Sequence, residues 1–286
     1  MNRNFKIILS IFFIGIVAFF VAKGSWNVEI KISPKKTPVK ISAKKKVAAD
    51  VEATRRVAST IPVSQVKPAR MAIILDDWGL NLPLVKEVEG IGRPITLSVL
   101  PHLAHSREIA EEASSHGLGV MLHMPMQAKN LRTAGEPRTI LTTSPDKQIL
   151  EYLDQALESV PGAQGMNNHQ GSAATSDERV MRTVLGHLKE KGLFFVDSQV
   201  ISSTRGWRIA KEIGMPFTKR DVFIDNQPTS EAIKAQLLVA QKIALSRGRV
   251  VVIGHDKKVT IEAIREMVPE LEKNGVKLVL VKELLE

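Results

Sequence analysis

The sequence predicts an α/β protein on parallel strands, a compact or incomplete β/α barrel of seven or eight units. Three features point there. After residue 70 a unit recurs, made of a helical pattern, a glycine and a short apolar strand. The strands run four to six residues and are apolar almost throughout, as strands covered on both faces are. Strand after strand then stops at an aspartate or a histidine, where parallel α/β folds gather their chemistry. A doubly wound open sheet fits the same alternation, because strand order leaves no mark on a sequence. Nucleotide signals are missing: no glycine fingerprint follows the first strand, and no Gly-Lys-Ser/Thr loop occurs.

The front of the chain is different in kind. Arg3 and Lys6 precede Ile7–Ala22, a run of 16 residues that is apolar apart from Ser10 and Gly15. Basic, then apolar, then polar is the order of a signal peptide or an uncleaved signal anchor, here residues 1–22. The positive residues before the run favour a cytoplasmic start and an exported remainder, on the periplasmic or cell-surface side and anchored in the inner membrane by residues 7–22. Residues 23–70 are rich in Lys, Ser, Thr, Pro, Val and Ala without periodicity, and read as a basic disordered linker. Residues 1–70 hold 14 Lys and Arg against 3 Asp and Glu, whereas residues 71–286 hold 26 against 27. The net charge of +10 therefore belongs to the leader. A nucleic-acid-binding domain would carry its own basic face, so nucleic acid is not an expected partner. With no cysteine, neither a disulfide framework nor a thiolate metal site is possible.

The folded part, residues 71–286, is justified unit by unit. Strands are expected at 71–75, 95–99, 119–122, 163–166, 193–196, more weakly at 215–224, then at 250–253 and 276–281. Gly117, Gly192, Gly248 and Gly275 each stand just past a helical pattern, where a left-handed residue releases the chain toward the next strand. Thr175-Ser176-Asp177-Glu178 has capping-box spacing, and Ser144-Pro145-Asp146 places proline at a helix start.

Beyond the strands come Asp76-Asp77, Pro101-His102, His123, Asn167-Asn168-His169, Asp197-Ser198, Asp225-Asn226 and Gly254-His255-Asp256. Such a set suits a metal-dependent site. Two imidazoles and a carboxylate leave a divalent metal an open position for water, as in catalytic zinc sites. A second carboxylate held off the metal can take the water's proton, and a histidine across the site can protonate a leaving group.

The motifs Ile-Ile-Leu-Asp-Asp-Trp-Gly, Leu-His-Met-Pro-Met, Met-Asn-Asn-His-Gln-Gly-Ser, Phe-Val-Asp-Ser and Ile-Gly-His together resemble the divergent polysaccharide deacetylase family, relatives of the NodB-type carbohydrate esterases. The resemblance spans essentially all of 71–286. It implies a deformed, NodB-like (β/α)7–8 barrel, a Zn²⁺-like metal site and a cell-envelope polysaccharide or peptidoglycan as substrate. On that resemblance Asp76 matches the catalytic base, Asp77 its metal-binding neighbour, His123 a metal histidine and His255 the general acid. One departure stands out: the ordinary pattern has a second metal histidine four residues after the first, and here that position is Gln127. His169 is chosen as the replacement ligand.

Blander roles are assigned elsewhere. His105, His116 and His187 fall in or at the ends of helical patterns, and His102 suits helix capping. Asp197 is expected either to hold and orient a histidine, a catalytic support role, or to cap the next helix with Ser198. Asp221 and Asp225 are expected to line the pocket or to pair with Arg220 and Lys219, and Trp78 or Trp207 to stack on a sugar or pack. The leading functional expectation is metal-dependent N-deacetylation of an amino sugar in the envelope. The alternatives are a non-catalytic glycan-binding or scaffolding protein that keeps the barrel, and a metal-free two-carboxylate glycosidase.

Overall fold

The computed structural model describes residues 68–130 and 136–286. The apolar run 7–22 and all but the last three residues of the linker 23–70 lie outside them. Among the described residues, no helix is long and apolar enough to cross a membrane.

Within the described residues, nine parallel strands alternate with helices. The strands are β1 (Ala69–Trp78), β2 (Thr96–Val99), β3 (Gly119–Met126), β4 (Gly165–Gln170), β5 (Phe194–Asp197), β6 (Phe217–Lys219), β7 (Val222–Phe223), β8 (Arg249–His255) and β9 (Val276–Val279). The helices are α1 (Leu84–Glu89), α2 (Ser106–Ser115), α3 (Asp146–Ser159), α4 (Glu178–Glu190), α5 (Gly206–Glu212), α6 (Ser230–Arg247) and α7 (Lys258–Lys273). The expected helix exits are present: Gly117, Gly192, Gly248 and Gly275 have φ of 74°, 71°, 77° and 86°. At the start of α4, Asp177 is the cap, accepting from Val180 N–H at 2.9 Å.

The sheet order is β6-β5-β4-β3-β2-β1-β8-β7. β1 is the hub. One of its edges is taken by β8 from Arg70 to Asp76, and the other is shared by β9 over Ala69–Ala72 and by β2 from Ile74 onward. The two ends of the sheet are joined by the chain itself. β6 pairs with β5, β7 pairs with β8, and only Arg220-Asp221 separate them. Arg220 N–H donates to Asp197 C=O at 3.0 Å and Asp221 N–H to Val251 C=O at 2.9 Å, so consecutive amides bond to opposite ends of the sheet. The weak strand expected at 215–224 is therefore two short ones, because one straight stave cannot register with β5 and β8 together. The product is a deformed (β/α) barrel.

Two cores fix which way each side chain points. Ala72, Ile74, Met121, Phe194, Val196, Val251, Ile253 and Val279 fill the interior. Met71, Ile73, Leu75, Val120, Leu122, Met166, Phe195, Val250 and Val252 pack outward against the helices. Side chains alternate along a strand. Asp76, His123, Asn167, His169 and His255 thus share the interior phase, at the carboxyl ends. Asp197, in phase with Phe195, does not.

Candidate metal centre and active site

The site begins with an irregularity in β1. Leu75 pairs with Leu97 and Trp78 with Val99, three residues against two, so β1 carries one extra residue. Asp77 absorbs it at φ 68°, a left-handed conformation that aspartate tolerates better than most residues. In a regular strand Asp76 and Asp77 would face opposite sides. The bulge turns both carboxylates into one hollow, at a strain of order 1 kcal/mol.

Into that hollow come His123 from β3 and His169 from β4. Asp77 Oδ1 lies 3.2 Å from His123 Nε2 and 3.0 Å from His169 Nδ1, and the two ring nitrogens are 3.1 Å apart. Yet Asp77 Oδ1 is buried with no hydrogen bond of acceptable geometry. The tautomers explain the tension. Asn167 donates to Asp76 Oδ1 at 2.8 Å, which turns its own carbonyl toward His123 Nδ1 at 2.6 Å and Ser98 Oγ at 2.6 Å. His123 must then carry its proton on Nδ1, leaving a lone pair on Nε2. Glu136 Oε1 stands 3.2 Å from His169 Nε2 and favours the proton there, leaving a lone pair on Nδ1. Three candidate ligand atoms from Asp77, His123 and His169 converge within 4.8 Å of one another, an arrangement that a cation between them would make favourable. The donor set, one carboxylate and two imidazoles, fits zinc or a similar divalent ion.

The carboxylates that would hold an ion also attract a proton, and the two compete for the same place. Burial alone would lower the pKa of His123, but Asp76 and Asp77 beside it override burial and hold it up at about 9. Asp77 goes the other way: burial raises it, and the two imidazoles beside it carry it well below the usual carboxylate range. Asp76 is raised by burial, against the pull of His123 and Asn167.

His255 stands on the opposite wall. Its Nδ1 is 2.8 Å from Asp225 Oδ1, while Asp225 Oδ2 accepts from His255 N–H and from Thr260 Oγ1, each at 2.9 Å. Burial lowers the pKa of His255, and Asp225 more than reverses it; burial raises Asp225, and His255 more than reverses that. His255 Nε2 points inward, 3.6 Å from Asp77 Oδ2. The cleft between the walls, about 360 Å³, is lined by Asp76, His123, His169, Ser198, Arg220, Phe223 and His255 among others.

Asp76, Asp77, His123, His169 and His255 are thus brought together. Asp197 is not, and the expectation that it orients a histidine is corrected. Its carboxylate accepts from Thr204 Oγ1 at 2.6 Å and Gln199 N–H at 2.9 Å, on the helix side of β5. The carboxylate that holds a histidine is Asp225, left open in the sequence between pocket lining and an ion pair; its place one residue past Ile224 was the available signal. Asp221 pairs with Arg247 rather than with Arg220 or Lys219. Asn167 had no signal beyond standing two residues before His169. Gln127 is no ligand, since its Oε1 accepts from Thr142 N–H and Oγ1 at 2.7 and 2.9 Å. Trp78 is fully buried and cannot stack on a sugar.

The fold and the site define a (β/α) barrel with a polar, cation-suited centre at its strand ends. The chain belongs to the divergent polysaccharide deacetylase family, whose profile matches residues 73–285. The chain is 32% identical over 208 residues to the uncharacterized protein YibQ of Escherichia coli K12, covering 73% of this chain and 65% of YibQ, just under two thirds of that relative's length. An uncharacterized protein of Haemophilus influenzae is 32% identical over 197 residues, with 69% and 70% covered. Among solved structures, the uncharacterized protein ATU2773 of Agrobacterium tumefaciens C58 has the same fold, with a TM-score of 0.72 at 22% identity, covering 78% of this chain and 92% of that one.

Proposed function

We propose that the chain is a metal-dependent hydrolase of the cell envelope that removes an N-acetyl group from an amino-sugar polymer. The carrying observation is the convergence of Asp77, His123 and His169 beside a buried Asp76, with a carboxylate-held His255 across the same cleft. The family to which the chain belongs supports a carbohydrate substrate. In this reading Asp77, His123 and His169 hold the ion, which supplies Lewis-acid polarisation of the acetyl carbonyl and acidifies a water.

The remaining chemistry belongs to the side chains. Asp76, raised by burial and oriented by Asn167, takes the proton of the attacking water. His255, kept protonated by Asp225, passes a proton to the departing amine nitrogen, so acetate and a free amine leave. Residues 1–22 tether the enzyme on the exported side of the inner membrane, and 23–70 space the barrel from the bilayer.

The test uses the full chain with acetylated glucosamine oligomers, with and without zinc, and metal content measured alongside. Metal-dependent acetate release, and loss of both metal and release in Asp77→Ala, support the proposal. Full metal occupancy in Asp77→Ala overturns the ligand assignment. Saturable glycan binding without acetate overturns the hydrolase and leaves a binding protein.

A further inference from the structure

One wall of the cleft carries a positive charge that the proposed reaction does not use. Arg220 sits in the two-residue link between β6 and β7, where the barrel closes, and its guanidinium is half-buried in the cleft lining. Its hold on the protein is unusual for a buried arginine. Nε donates to Ser198 C=O at 2.6 Å and Nη2 to Gln199 C=O at 2.9 Å, both neutral acceptors. The guanidinium lies over the Phe223 ring, 5.0 Å from its centroid. Among the described residues no carboxylate lies within ion-pair distance of it; the charges of Asp76 and Asp197 reach it only through space.

An arginine has five N–H donors. Two of Arg220's are spent on loop carbonyls, and these fix the plane of the group rather than neutralise it. Among the described residues the Nη1 pair has no protein partner. Beside it Ser198 is 6% exposed and lines the same wall, and its hydroxyl also has no hydrogen-bond partner. A rigid guanidinium fork with unspent donors, next to an unpartnered hydroxyl, is suited to a planar anion. The geometry points to a carboxylate subsite: we infer that the polymer accepted by this cleft bears a carboxylate on the sugar at, or next to, the acetamido group at the Asp76 centre. The substrate class is then an acidic amino-sugar polymer rather than a neutral one. The neighbouring Phe223, wedged between Arg220 and His255, its ring edge-on to His255 at 5.2 Å, supplies an apolar floor for the same sugar.

This inference rests on the proposed function for the kind of polymer. Its test, however, reads binding, so that it stands or falls apart from turnover. Zinc-loaded full-length protein is titrated calorimetrically with oligomers of alternating N-acetylglucosamine and N-acetylmuramic acid, and with the same oligomers in which each carboxylate is converted to its amide. Acetate is assayed in parallel. The expected result is tighter binding of the acid by more than about tenfold, the size of one lost charge-assisted hydrogen-bond pair. The preference should shrink as salt rises and vanish in Arg220→Gln. Equal binding of acid and amide by the natural protein overturns the inference and needs no variant that might misfold. An acid preference that survives in Arg220→Gln also overturns it, since the recognising cation would be elsewhere. Acid-selective binding lost in Arg220→Gln, but with no acetate from any oligomer, supports the subsite while sinking the hydrolase.

Discussion

The two walls of the cleft hold their histidines by opposite means, and the contrast separates their chemistry. His123 is 2% exposed, and its Nδ1–H is received by the amide carbonyl of Asn167. His255 is partly open to solvent, and its Nδ1 meets the carboxylate of Asp225. A neutral acceptor fixes a tautomer without adding charge, so the other nitrogen keeps a lone pair and serves as a ligand. An anionic acceptor stabilises the imidazolium, so the other nitrogen carries a proton to give away. The neighbour is not the whole of it: His169 also meets a carboxylate, Glu136, and is assigned as a ligand because its Nδ1 lies against Asp77 and His123.

The sharpest way to break this contrast is Asp225→Asn, which gives the acid wall the ligand wall's kind of partner. The turnover rate should fall about a hundredfold, within the range for losing a positioned general acid. The alkaline limb of the pH–rate profile should move to lower pH. The sign follows from the shift: Asp225 raises the pKa of His255, activity is lost as pH rises through that pKa, and without Asp225 the loss comes earlier. Metal content should be unchanged. A limb that stays in place would show that His255 is not the acid.

On the ligand wall, Asn167→Leu removes the carbonyl that fixes the Nδ1–H tautomer of His123. Zinc affinity at neutral pH should drop by about 10- to 100-fold. A competition titration against a coloured chelator would measure it, and an unchanged affinity would show that Asn167 does not orient the ligand. A smaller effect is expected of Glu136→Ala, which frees His169 Nε2. About a tenfold loss of zinc affinity, rescued by Glu136→Gln, is expected; no loss would reduce Glu136 to a surface contact.

Smallest is Asp256→Asn, just past the acid wall. Burial, with the charge of Asp77, raises Asp256 to about 6, although Asn81 donates to it at 2.6 Å. An acid raised on folding weakens the fold as pH climbs through that value. Asp256→Asn should therefore stabilise the protein by on the order of 1 kcal/mol at pH 7–8 and by nothing near pH 4, measured by urea unfolding. A gain that is the same at both pH values would trace it to packing instead.

Much of the fold was legible because each unit is local. A periodic apolar face, a left-handed glycine and a short apolar strand lie within about 25 residues of one another and need no partner to be read. The site was legible where strand phase and strand end coincide, as at His123 and His255. It failed where phase decides between neighbours. Asp197 looked equivalent to Asp76, yet its strand begins one residue out of step with the interior. Asp77 is the converse. Its phase would send it outward, and only a bulge, a property of pairing with β2 and not of composition, turns it in. The choice of Asp225 over Asp197 could not be made from the chain alone, since it depends on β7 lying beside β8. Asn167 was hidden for another reason: an amide that sets a tautomer has no spacing rule.

The bulge in β1 has a mechanical consequence. The proposed proton acceptor and the metal-binding carboxylate are joined by one peptide bond, so their separation is fixed by covalent geometry and survives any breathing of the barrel. His255 has no such tether to them, because its distance depends on β8 staying registered against β1 and on the short link at Arg220-Asp221 keeping the wall shut. A loosened barrel would part the acid from the base long before it parted the base from the ion.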